Sequence, residues 1–177
     1  MTRSKIKQYT DSLIDQFETI ELPIDVEMIA ALVGIEIKKN NFGTTMSGFA
    51  LQKNGARYIG VNKGEVIERQ RFTIAHELGH LMLHHHDHLN YDPGKSVMLL
   101  RDKHSSEGTD LKEIEANKFA AELLMPEDFI REDLAIQGGI DLINDDQKTS
   151  KFIERMAKKY QVSTQAMRIR LTALYFN

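Results

Sequence analysis

The stretch "FTIAHELGHLML", residues 72–83, reads as an apolar helix that must be mostly buried. Inside it, His76-Glu77-Leu78-Gly79-His80 fits the pattern H-E-x-x-H. On a helix, positions i and i+4 lie about 400° apart, so His76 and His80 leave one face and converge on one point. Zinc takes such imidazoles at about 2.0–2.1 Å, in sites that keep one position open for water. Glu77 is turned about 100° from His76. That offset aims it at a metal-bound water and makes it the expected general base. With 7 His and 14 Glu in the chain, chance alone supplies roughly 0.02 matches to this pattern. Two imidazoles and a carboxylate in apolar surroundings need a compensating partner, and a metal ion provides one.

A third ligand must come from elsewhere. His84 continues the i+4 stripe but stands about 12 Å along the axis from His76, too far to share one ion. His86 occupies the place of the third histidine in H-E-x-x-H-x-x-G-x-x-H, but that turn needs Gly where this chain has Leu83. The better candidate lies in "LKEIEANKFAAELLMP", residues 111–126. Glu113 and Asn117 are i and i+4 on one expected helix, and Ala116, Ala120 and Ala121 let that helix lie close to its neighbour. Glu113 completes a His2Glu set typical of catalytic zinc in peptidases, and Asn117 is placed to hydrogen-bond a ligand's far nitrogen. Glu115 and Glu122 are expected to be surface charge. His84, His85, His86 and His88 read as a solvated turn able to pick up stray metal.

Working outward, residues 3–18 carry Ile6, Tyr9, Leu13, Ile14 and Phe17 at helical spacing. "PIDVEMIAALVG" predicts a second helix closed by Gly34, and "IEIKKN" alternates like a strand. Two further strand-like runs flank Asn54-Gly55, a strong hairpin signal. The H-E-x-x-H helix is expected from about Glu65 to His84. Residues 86–110 read as a long loop with a short apolar piece at 97–100, in which Tyr91 and His104 are candidates to stabilise an oxyanion. Helices follow from about Leu111 to Met125, from Pro126, and at about 149–160 and 163–175. The expectation is a single α+β domain over 1–177: a small antiparallel sheet ahead of the active-site helix and several C-terminal helices.

Composition narrows the chemistry. The chain has 177 residues, 41% hydrophobic and 28% charged, with a net charge of −3, which is ordinary for a globular domain and no magnet for nucleic acid. It has no cysteine, which excludes disulfides, thiolate ligands and cysteine nucleophiles. A deformylase-type site, with cysteine as third ligand, is excluded with them. The N-terminus lacks the apolar core of a signal peptide, and no stretch reaches the roughly 18 apolar residues of a membrane span. The expected location is the cytoplasm. From Gln147 to Asn177 there are 7 basic residues and 1 acidic, read as a solvated face or a partner-binding patch.

"RFTIAHELGHLMLH", a spacer of roughly 30 residues, and "EIEANKFAAELLMP" resemble the ImmA/IrrE family of metallopeptidases. That resemblance implies a zincin-like, gluzincin-related fold with His76, His80 and Glu113 as metal ligands and Glu77 as catalytic glutamate. It also implies a protein substrate, a helix-turn-helix (XRE-type) repressor whose cleavage derepresses mobile-element or stress genes. The expected cofactor is Zn2+, and a His2Glu set also accepts Mn2+ or Fe2+. Residues 148–177 have a helix-turn-helix cadence. Two alternatives to proteolysis follow: a metal-binding interaction module, and DNA or repressor binding through Lys158, Lys159, Arg168 and Arg170.

Overall fold

The computed structural model describes residues 2–43, 46–53, 55–83, 97–100, 111–136 and 146–175, with backbone alone for 3–4, 53, 97–100 and 146–147. The chain opens with α1 (Arg3–Ile14) and α2 (Val26–Leu32), then β1 (Ile35–Asn40), β2 (Gly48–Lys53) and β3 (Ala56–Asn62). α3 (Ile67–Leu83), β4 (Val97–Leu100), α4 (Leu111–Leu124), α5 (Glu127–Ile136), α6 (Asp146–Tyr160) and α7 (Thr164–Tyr175) follow. This is the α+β arrangement expected. α1 stops four residues early because the Phe17 amide bonds to the Ile14 carbonyl at 3.1 Å, a tightened turn that folds Phe17 back onto the core. α2 starts on Asp25, whose carboxylate accepts from the Glu27 and Met28 amides at 3.0 Å. It ends before Gly34, where φ is +72°.

The sheet differs from the expected antiparallel one. Its order is β1-β3-β2-β4; β2 pairs antiparallel with β3 and β4, but β1 pairs parallel with β3. From β1 the chain passes into β2 one place further out, and the hairpin then returns β3 into the gap. Asn62 holds that passage, its amide donating to the Gly43 and Met46 carbonyls at 2.7 and 2.9 Å. A hairpin signal fixes only which strands are joined by a tight turn, so the insertion of β3 is invisible in local sequence. The apolar piece at 97–100 is itself a strand, β4, running Val97 to Leu100 against Gln52 to Phe49.

Ile59 and Val61 of the sheet, Ile74 and Leu78 of α3, and Phe119 and Leu123 of α4 belong to one core. α3 is buried on nearly every side, as its sequence demands. Gly79 lets α4 approach: a Cβ there would stand 3.2 Å from Ala116 Cα and from the Phe119 side chain. That close crossing brings the two chemically charged helix faces within reach of one another.

The C-terminal helices cap this core through buried polar contacts. Arg71 of α3 donates to the Ile24 carbonyl at 2.9 Å and to the Gln161 carbonyl at 3.2 Å, spanning the α6–α7 turn. Tyr160 donates to Asp133 at 2.8 Å, and Lys159 pairs with the same carboxylate. Glu122 and Arg170 form an ion pair at 2.7 Å with both side chains almost fully buried, and Arg170 also donates to the Met125 carbonyl at 3.0 Å. These contacts correct one expectation. Glu122 is not surface charge, because its face of α4 turns toward α7. Arg170 is buried against Glu122 and so is withdrawn from the basic face, whereas Lys159 keeps 47% exposure beside Asp133.

Breaking the buried pair from one side strands a charge. Arg170→Met or Glu122→Leu alone is therefore expected to cost about 3–5 kcal/mol in urea unfolding. The double variant, which removes both charges, should recover most of that loss. A double variant no more stable than the worse single one would contradict this account.

Candidate metal centre

α3 presents His76 and His80 from one face, one turn apart, and α4 crosses over them with Glu113 in its first turn. The two Nε2 atoms stand 3.0 Å apart. Glu113 reaches both, with one carboxylate oxygen 2.9 Å from His80 Nε2 and the other 3.4 Å from His76 Nε2. One donor atom from each of the three side chains fits within 4.8 Å of the others. Two ligands held at 2.0–2.1 Å by one tetrahedral ion stand about 3.3–3.4 Å apart, so these separations suit a single cation. A shared proton satisfies one edge of this triangle, whereas a cation satisfies all three donors.

The surroundings orient the donors. His76 Nδ1 lies 3.0 Å from Asn117 Oδ1. The amide oxygen can only accept, so Nδ1 carries the proton and Nε2 keeps its lone pair for the cluster. Phe72, one turn before His76, stacks on its ring at 6.0 Å with 28° between planes. The His80 ring meets that of His76 edge-on at 4.6 Å. His76 is 1% exposed, but His80 and Glu113 retain 13% and 16%, so the cluster is walled on one side and open to solvent on the other. Glu77, which follows His76 in the chain, is buried at 1% exposure.

The structure thus brings together His76, His80, Glu113 and Asn117, and buries Glu77, the next residue after His76. Among the described residues this is the one group of His, Cys, Asp or Glu with metal-ligand spacing. Tyr91, His104, His84, His85, His86 and His88 lie outside the described residues. Phe72 was missed in sequence. Its position four before His76 was the available signal, since i and i+4 share a face.

Comparison with known proteins points the same way. The profile of the M78 peptidases, described as an IrrE N-terminal-like domain, matches residues 30–172. The chain belongs to the M78 metallopeptidase family. It is 31% identical over 149 residues to the radiation response metalloprotease IrrE of Deinococcus radiodurans, covering 82% of this chain and 39% of that protein. It is 26% identical over 144 residues to an uncharacterized immunity region protein 2 of Bacillus phage phi105, covering 76% of this chain and 83% of the phage protein. A Mycobacterium tuberculosis transcriptional regulator shares the fold, with a TM-score of 0.59 at 14% identity over 96% of this chain and 46% of its own. M78 membership implies a divalent metal, and the His-His-Glu cluster is where the donors for one are gathered. No helix among the described residues is long and apolar enough to cross a membrane.

Proposed function

We propose that this protein is a zinc-dependent endopeptidase that cuts a helix-turn-helix repressor and so releases the genes it silences. The observation that carries the reading is the meeting of the two α3 histidines with Glu113 of α4, in an M78 chain, beside a buried glutamate. His76 and His80 would hold the metal through Nε2, and Glu113 would supply the anionic donor. A metal bound there would supply Lewis-acid chemistry, making a water more acidic and a carbonyl more electrophilic. Glu77 takes the proton of the attacking water and delivers it to the departing amine. Asn117 keeps His76 in the tautomer that leaves Nε2 free to bind. Zinc suits two imidazoles and a carboxylate, and Mn2+ or Fe2+ would be accepted by the same set.

A regulatory target agrees with the relatives, one a radiation response metalloprotease and the other from a phage immunity region. The test is mass spectrometry of the helix-turn-helix regulator encoded beside this protein, incubated with zinc-loaded protein and with its Glu77→Gln variant. A single new pair of fragments, made by the unaltered protein alone, supports the reading. An intact regulator after prolonged incubation with the loaded protein sinks it.

A further inference from the structure

Three helices, α3, α4 and α7, come together beside the His-His-Glu cluster. Between α3, α4 and α7 lies an open trough of about 900 Å3, near the upper end of the range of about 300–1,000 Å3 for ligand pockets. Phe72 and Asn117 line it, and both touch His76, at 6.0 Å between rings and 3.0 Å between polar atoms. The trough therefore borders His76 through these two residues, while His76, Glu77, His80 and Glu113 are not themselves among its lining residues. Along α4 and the residue after it, the trough extends from Ile114 to Met125, about 16 Å, which matches about five residues of extended chain. α7 supplies the opposite wall, including Ile169. Val66 and Ile169, both lining residues, are left 69% and 61% exposed. The buried charges of the lining, Glu122 and Arg170, neutralise one another at 2.7 Å.

We propose that this trough receives the apolar side chains of the substrate polypeptide beside the bond that is cut, with Val66 and Ile169 as specificity-determining residues. The inference rests on the endopeptidase reading and adds to it the chemistry of the preferred substrate. The trough is too long for a single side chain, and its two buried charges, Glu122 and Arg170, are paired with one another, while Glu68, Arg69 and Lys118 also line it. A run of large aliphatic or aromatic side chains removes Val66 and Ile169 from water along with itself, and burying such groups is what drives association.

Ile169→Glu and Val66→Glu place a charge on this wall at positions exposed enough to spare the fold. Each is expected to raise KM for the adjacent-gene regulator about 10-fold or more. kcat, zinc content and melting temperature should stay close to those of the unaltered protein. Ile169→Leu should restore KM, and Ile136→Glu, on α5 at 80% exposure and outside the trough, should leave it unchanged. If the unaltered protein cleaves the regulator and both glutamate variants do so with the same KM, the trough assignment fails and the peptidase reading stands. If the unaltered protein does not cleave it, both fail. A dimer of the unaltered protein that Ile169→Glu dissociates in sedimentation would assign the trough to a second copy and overturn the proposal.

Discussion

Glu77→Gln is expected to retain a full complement of zinc while cleavage of the regulator falls by about 10²–10⁴-fold, the span attributed to a positioned general acid–base. The substitution separates two properties that most changes at this site would remove together. Glutamine matches glutamate in size and keeps a carbonyl oxygen, so the buried pocket around residue 77, 1% exposed, stays filled. It cannot take a proton from water near neutral pH. Zinc measured by elemental analysis, with cleavage followed by mass spectrometry, reads both properties on one sample. Cleavage at the unaltered rate would show that another group takes the proton. Loss of zinc would place Glu77 among the ligands.

The features legible in sequence were those set by short-range geometry. His76 and His80 announce themselves because i and i+4 share a helix face, and Gly34 marks a helix end because its φ of +72° suits glycine. Glu113 was legible for a related reason: with Asn117 it forms a second i, i+4 pair on a helix rich in small residues. Features set by long-range pairing were not legible. β1 runs parallel to β3 because a later hairpin fills the gap beside it, which no residue in "IEIKKN" specifies. Glu122 was taken for surface charge because its partner, Arg170, lies on a helix that local pattern cannot position. One hint was available: Glu122 interrupts the apolar run "FAAELLM", and a charge so placed needs a buried partner. The trough between α3, α4 and α7 is the extreme case, since its walls come from three helices spread over more than half of the chain.

Glu113→Ala should abolish both metal retention and cleavage, and this is the second large effect expected. The carboxylate is the only anionic donor in the cluster, lying 2.9 Å from His80 Nε2 and 3.4 Å from His76 Nε2. Without it, two neutral imidazoles must hold a doubly charged ion with no compensating charge among them. Because Glu113 keeps 16% exposure in the first turn of α4, alanine there should leave the fold intact, and α4 should still dock through Phe119 and Leu123. Asn117→Ala provides the graded comparison. It removes the acceptor 3.0 Å from His76 Nδ1 but no donor, and hydrogen-bond partners of metal ligands are worth about 10–100-fold in affinity. Competition against a zinc-chelating dye should therefore rank the unaltered protein first, Asn117→Ala next and Glu113→Ala last. Zinc held by Glu113→Ala as tightly as by the unaltered protein would mean that the third donor is another residue. The close crossing of α3 and α4 at Gly79 would then serve packing alone.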